Sequence, residues 1–575
     1  MKKSIRLLAL LLSVIMVFAL LAGCKDTTTE PPATNGNDTT TSTPPVQGGE
    51  DDTQEDDVSA PPAAEGVKLN LSISEPISTV DPAMANSMWS QQMINLTNQG
   101  LMMFGADGGV TYGLADSYTV SDDGMTYTFH IRDDAFWSNG DKVTAFDFLY
   151  SWQRVTDPAN AAPCAYALGA TGVVNGFAVA YGGADLSTLG ISAPDESTFI
   201  VTIDAPRSYF LYLLALASYL MPVSEAYVNS VGDQFGLDMN NYLACGPYVF
   251  SEWEVGGTSY TFVKNENYWD KDSVTCDEIT WSVITDTTQQ MMAWDNGTLD
   301  MASLSGDYVA KYKNDPGLYV ADMAAMFYVT FNHNDANIGN ENLRLALSYA
   351  IDKQAIVDGI LNNGSRAANY ILPETFAIDS KGVYFRDNIG HPEYNAMDKA
   401  KAVEYWEAAK AELGVETLTL DFLYNEDSVL ALVSAFLQSE WQNALPGLTV
   451  NLVQTTYNDR LDRMSKQDYQ FGLTRWFADY PDASTYIDMF VTDAQMNYGK
   501  YSNAEYDAMH ARVNGELALD EQGRIDAFKD MEAIFLGEAG ICPLYQLAAC
   551  SLRNPDYNWV TNAAGVAQYN WVSRK

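Results

Sequence analysis

The part of the chain that carries regular structure opens on a period-two alternation. Val67, Leu69, Leu71 and Ile73 are apolar, and the residues between them, Lys68, Asn70 and Ser72, are polar. That is the pattern of a half-buried strand. Thr126 to Arg132 repeats it, and Ser117 to Val120 lies just before Asp122-Asp123-Gly124, a tight-turn sequence that predicts an antiparallel hairpin. Gly246 to Phe250 and Ser259 to Val263 are further strands. Between them the period changes at Thr144, which can cap a helix carrying Ala145, Phe148 and Trp152.

The most regular stretch begins near residue 395. Asp398 is placed to cap a helix that runs to Leu413, and Gly414 can close it in the left-handed conformation. A strand from Leu418 to Tyr424 follows, then a helix from Ser428 to Asn443 and a strand from Leu448 to Thr455. A short helix from Asp459 to Ser465 leads to a strand from Tyr469 to about Phe477. This βαβαβ order predicts parallel strands covered by helices. In open sheets of that kind ligands bind outside the carboxyl ends of the strands, which is where Asp479 falls. The chain shows no internal repeat.

The first 66 residues follow different rules. Lys2, Lys3 and Arg6 precede an apolar run from Leu7 to Ala22 broken only by Ser13, a signal-peptide pattern too short for a membrane span. It ends in Leu21-Ala22-Gly23-Cys24, which resembles the bacterial lipobox. That resemblance implies removal of residues 1–23 and a palmitate-type lipid on Cys24; an ordinary secretory signal that contains a cysteine is the alternative. Residues 24–66 are rich in Thr, Pro and acidic side chains. With almost nothing to bury, they are expected to stay extended as a tether. The expected location is the outer face of the cytoplasmic membrane, reached through the lipid alone.

About 510 residues remain after the tether, more than one hydrophobic core usually serves. The formal charge of −43 disfavours nucleic acid and anionic lipid as partners. It explains solubility without implying a cationic substrate. Apart from Cys24 there are five cysteines, Cys164, Cys245, Cys276, Cys542 and Cys550, an odd number with no CxxC spacing. His130, His333, His391 and His510 form no HxxxH or HExxH pair, so no metal and no cofactor are expected. GxSxG and Walker patterns are absent from the sequence. Asp122-Asp123 and Asp133-Asp134 are ordinary in so acidic a chain. An enzyme is not expected; an extracellular glycoside hydrolase is the nearest alternative of that class.

Several separated blocks carry a family resemblance. Glu75-Pro76 through Asp81-Pro82-Ala83 comes first, then Leu114-Ala115-Asp116-Ser117-Tyr118 and Trp137-Ser138-Asn139-Gly140-Asp141. Thr144 to Arg154, Gly246-Pro247-Tyr248, Asn265 to Trp269 and Arg344 to Asp352 continue the order, and Trp476 to Asp482 ends it. Together they resemble the bacterial extracellular solute-binding proteins of family 5, oligopeptide- and dipeptide-binding lipoproteins that feed ABC importers. The resemblance covers about Leu69 to the C-terminus. It implies an α/β, periplasmic-binding-protein-like fold of type II: three domains, two lobes, mixed and parallel sheets, and a hinged ligand cleft. Domain I would comprise residues 67–95, 240–325 and 541–575, with domain II inserted at 96–239 and domain III at 326–540. Crossings near Tyr328-Val329-Thr330-Phe331 and Pro543-Leu544-Tyr545 would act as the hinge. The partners implied are a peptide and the permease subunits of an ABC transporter, and the protein would be a monomer.

In that family an Asp in the Trp-x-Ala-Asp-Tyr motif pairs with the peptide's amino terminus, and the motif places it at Asp479. The backbone of Arg475, Trp476 and Phe477 resembles one edge that pairs with the ligand as an added strand. Asn86, Ser87 and Met88 fall on the opposite edge, and Arg475 is a candidate for the peptide's carboxylate. Other readings stand beside these. Asp479 before Tyr480-Pro481 could form a turn, Trp476, Met88 and Trp89 could be core, and Asp482 reads as a helix N-cap. The chain departs from the family pattern at Ala483 and Cys245, which leaves the cleft wall's shape open. Relatives also bind nickel, haem or oligosaccharides; a nickel site lacks a histidine cluster, whereas twelve tryptophans suit stacked sugars.

Overall fold

The computed structural model describes residues 66–575 except 254–255, 305–306, 380–382 and 562–565. The expected leader, Cys24 and the tether up to residue 65 lie outside the described residues.

Val67–Ile73 forms the edge of a four-stranded sheet. It pairs in parallel with Cys276–Val283, which in turn pairs antiparallel with Ser259–Lys264, and that strand with Tyr248–Trp253. The predicted alternation buries Leu69, Leu71 and Ile73 and leaves Lys68 and Asn70 outside. Met93 and Ile94, from the helix Met88–Thr97, close this core together with Trp281, Phe262, Tyr569 and Val572. Joining in parallel with a strand some two hundred residues later makes the intervening chain an insertion.

Much of that insertion builds a second core. Ala115–Val120 and Thr126–Ile131 form the expected hairpin, with Val120 opposite Tyr127, and Thr198–Thr202 adds to it. The helix Ala145–Thr156 covers this sheet, setting Trp152 edge-on to Phe199 at 5.2 Å. Thr144 starts that helix: its backbone N–H donates to Asp147 Oδ2 at 2.7 Å. At the helix's other end Arg154 makes a two-pronged ion pair of 2.6 Å with the buried Asp81. Met221, Val223, Phe235 and Tyr242 return to the first core.

The third body is organised by a seven-stranded mixed sheet. Its order runs Met301–Leu304, Ile541–Arg553, Leu318–Phe331, Phe471–Phe477, Leu418–Asn425 and Leu448–Thr455, with Arg366–Ala367 pairing beside Ile541–Arg553. The predicted βαβαβ unit is present, and its three strands are parallel. Asp398 and Gly414 cap the helix Lys399–Leu413 as expected, Gly414 with φ 69°. Trp406 and Trp441 bury one face of the sheet, while Tyr486, Phe528 and Phe535 bury the other. Gly472 is required where the last strand joins: a Cβ there would lie 2.6 Å from the carbonyl oxygen of Leu423.

Leu318–Phe331 and Ile541–Arg553 are long enough to run from the first body into the third. They pair antiparallel along most of their length, and the register breaks between Asp322 and Met326 and again between Phe327 and Tyr328. At the first break the side chain of Gln546, fully buried, donates to Met323 O at 3.1 Å and accepts from Glu374 N–H at 2.9 Å. It satisfies backbone groups that the ladder leaves over.

Burial pushes the Asp147 carboxyl up to about 6, against the pull of its capping bonds to Thr144; Glu225 adds a small upward push. The unfolded chain therefore loses this proton first as pH rises. The stability linked to Asp147 is full below the unfolded value of 3.8 and is lost as pH rises to about 6. At about 1.4 kcal/mol per pKa unit, the loss is at most about 3 kcal/mol. Wild type minus Asp147→Asn, followed by denaturant unfolding across that window, should fall with rising pH. A difference independent of pH would show that Asp147 is not desolvated as described.

Candidate functional site

Phe471–Phe477 ends in the open. On one side Phe327, Met326 and Ala325 pair with Arg475, Trp476 and Phe477. On the other side the ladder to Leu418–Asn425 covers only Phe471 and Gly472. The backbone of Arg475 to Phe477 thus has one edge paired and one edge free of strand partners among the described residues, a place where an extended segment can add.

Directly after this strand the chain turns, and its turn is fixed from inside. The hydroxyl of Thr485 accepts both Trp476 Nε1–H and the Asp479 backbone N–H, each at 3.2 Å, and Ala478 N–H donates to Ala324 O at 2.8 Å. Trp476 is half-buried, packing against the core that holds Tyr486 and Phe490. Phe477 is 44 % exposed. Asp479 lines a groove of about 390 Å³ whose other walls come from the first two bodies, among them Met88, Gln91, Asn95, Gln99 and Tyr219. Solvent reaches the carboxylate, yet the protein mass around it raises its pKa by desolvation. Among the described residues no cation or side-chain donor is paired with it. An acceptor held in this state gains most from a cation that arrives with the ligand.

Arg475 lies among rings, with Tyr457 at 5.5 Å, Phe327 at 5.8 Å and Phe477 at 5.9 Å from its guanidinium. Asp479 follows four residues later, past the end of the strand and into the turn.

The opposite edge differs from the expectation. Asn86 is exposed and Ser87 is extended, but Ser87 is the N-cap of a helix, its hydroxyl accepting from Ser90 N–H at 3.1 Å. Met88, 70 % exposed, is the first helical residue, so a strand-like edge cannot continue through it. The helix brings Met88, Gln91, Gln92 and Asn95 to the groove instead, a spacing of three and four that marks one helical face. That spacing was visible in the sequence and went unread.

Asp482 also differs. It accepts from Ser484 N–H at 3.0 Å, but Ala483 holds the cap position of the helix Ser484–Ile487. The carboxylate's larger commitment is to Arg524, whose Nη2 lies 2.6 Å from both oxygens.

No group of three His, Cys, Asp or Glu side chains able to hold a metal ion occurs among the described residues. All five cysteines there are buried and unbridged, and burial pushes Cys245 and Cys276 up to about 12, far from a reactive thiolate. Among the described residues no helix is long and apolar enough to cross a membrane.

Bodies joined by two continuous strands, with a groove that all three line, define a cleft-type binding protein. Residues 109–498 match the family described as bacterial extracellular solute-binding proteins, family 5 Middle, and the chain belongs to that family. The dipeptide-binding protein of Lactococcus lactis subsp. cremoris (strain MG1363) is 30 % identical over 507 residues, 86 % of this chain and 91 % of that one. A structure of Listeria monocytogenes OppA bound to peptide aligns with TM-score 0.67 at 33 % identity, covering 89 % of this chain and all of that one. The murein tripeptide-binding protein MppA in its unliganded open form aligns with TM-score 0.78 at 26 % identity, covering 89 % of this chain and 98 % of that one.

The Asp482–Arg524 pair is buried on both sides. Arg524→Met should therefore destabilise the protein by about 3–5 kcal/mol, because it strands a buried carboxylate. Adding Asp482→Asn to that variant should restore part of the loss in a double-mutant cycle read by chemical unfolding. Additive losses would show that the pair is not coupled.

Proposed function

We propose that this protein captures peptides in the cleft beside the open edge of Phe471–Phe477 and delivers them to an ABC importer. The observation that carries the reading is Asp479: a desolvated carboxylate without a cation, one turn beyond a strand edge that can take a peptide backbone. The peptide's ammonium would meet Asp479, and its main chain would lie along Arg475, Trp476 and Phe477. Arg475 would face its carboxylate when the peptide is short enough. Asn86 and Ser87 would contribute backbone, and Met88 a side chain of the opposing wall. The relatives named for dipeptides and bound peptide support this reading.

The same proposal covers what surrounds the site. The body would be a monomer of three domains, 67–95 with 240–325 and 541–575, 96–239, and 326–540, that close on the ligand about the crossing strands. It would have no catalytic activity and would be held at the outer face of the membrane by a lipid on Cys24.

Asp479→Asn keeps the shape and removes the charge. A charge-assisted hydrogen bond contributes about 1.5–3 kcal/mol, so free-amine peptides should bind roughly tenfold to a hundredfold more weakly. N-acetylated peptides should bind wild type poorly, and the variant should distinguish the two forms far less. Because the carboxyl pKa is raised, affinity should also fall on acidification earlier than for an ordinary Asp. Calorimetry showing equal binding of acetylated and free peptides to wild type would remove Asp479 from the site.

Cys24→Ser should release the protein from membranes or leave its precursor unprocessed. Unchanged partitioning into the detergent phase would rule out the lipid anchor.

A further inference from the structure

Two spaces flank the segment from Asp479 to Asp482. One is the groove that Asp479 shares with Leu213, Leu216 and Tyr219. The other is a cavity of about 810 Å³ that Ser208, Tyr209, Tyr212, Pro481 and Asp482 line. Leu213 and Leu216 of the helix Phe210–Leu216 line the groove and Tyr212 lines the cavity, while Tyr480 stands in the chain between Asp479 on the groove and Pro481 on the cavity.

The rings of Tyr209 and Tyr480 stack, with centroids 3.8 Å apart and planes 8° from parallel. Both rings are held at their outer ends. The Tyr209 hydroxyl accepts from Arg207 Nη1–H at 3.0 Å, and the Tyr480 hydroxyl donates to Asp488 Oδ2 at 3.2 Å. Beside them Ser208 donates to Asp482 Oδ2 at 2.8 Å, the carboxylate that Arg524 also holds. Neither ring belongs to the hydrophobic core of its own body. Packing within each body therefore does not account for the stack.

We propose that the Tyr209–Tyr480 stack is the end wall of the ligand site, a specificity-determining contact that stops a ligand from extending past its amine. The inference rests on the peptide reading above and adds to it. A carboxylate selects a positive charge, and an ammonium on a side chain carries the same charge as one at a chain end. What selects a terminus is the absence of room behind it. The residue after Asp479 supplies half of that wall, and the other half comes from the body across the cleft. Without the wall the groove would continue into the larger cavity, where Tyr212, Tyr384, Phe385 and Leu519 form an apolar surface suited to an acyl chain.

The probe is a tripeptide that wild type retains from a mixed tripeptide library, synthesised with a free amine, an N-acetyl group and an N-octanoyl group. Wild type should reject both acylated forms. Tyr209→Ala should bind the N-octanoyl peptide at least tenfold more tightly than wild type does, with a much smaller change for the free amine. Tyr209→Phe, which keeps the ring, should reject the octanoyl form as wild type does; Tyr209→Leu replaces the alanine variant if that one melts early. The wall is overturned if wild type already accepts the octanoyl peptide, if the variants gain nothing for it, or if they shift all three forms alike. Asp479→Asn, measured in parallel, separates the two readings. A free-over-acetyl preference unchanged in that variant defeats the amine reading, whereas its loss there with no octanoyl gain in Tyr209→Ala defeats only the wall. A library from which wild type retains nothing defeats both.

Discussion

The antiparallel pairing of Leu318–Phe331 with Ile541–Arg553 is the constraint on which the rest of the structure depends. These two strands lie next to each other in the third body's sheet, and Ile541–Arg553 also pairs with Met301–Leu304, which lies beside Val67–Ile73 of the first. A sheet ladder resists stretching and shear because each residue is hydrogen-bonded to a neighbour, yet it yields where the ladder is interrupted. The interruption falls at Asp322 to Met326, with Gln546 satisfying the backbone groups left over there. The bodies are thus joined by backbone that is continuous and interrupted in its pairing between Asp322 and Met326.

The same sheet decides where charge can be left unpaired. Three ion pairs in this protein bring buried carboxylates to an arginine: Arg386 with Glu532, Arg154 with Asp81 and Arg524 with Asp482. Asp479, more exposed than these, has no such partner among the described residues; it stands just past the carboxyl end of a strand and lines the groove. A desolvated carboxylate without a partner costs stability.

Several residues in the family-like blocks turn out to hold the scaffold. Asp81 and Arg154 bridge the first body to the helix of the insertion, and Arg344 donates to the carbonyls of Ile338, Gly339, Glu538 and Ala539 around the start of a crossing strand. A Cβ on Gly246 would lie 2.8 Å from the backbone of Asn98. Trp476 to Asp482 is the block that reaches the groove, and it also carries the lock on Thr485 and the ion pair to Arg524. Family-like positions therefore report folding and binding together, and the geometry is needed to tell them apart.

By itself the sequence determined what neighbours along the chain can decide. The alternation of Val67 to Ile73, the Asp398 and Gly414 caps, the hairpin at Asp122-Asp123-Gly124 and the βαβαβ order all appear where the residues place them. The strand-end position of Asp479 followed from that order. Such features depend on residues a few positions apart, whose side-chain direction and hydrogen bonding are set by backbone period. Tertiary structure alone decided that Val67–Ile73 pairs with Cys276–Val283 and that Tyr209 meets Tyr480. Each of these contacts joins surfaces distant in sequence or depends on which edge is left free once the cores are packed. No local period encodes such choices, because their energy comes from burying surface against a partner that only the assembled fold supplies.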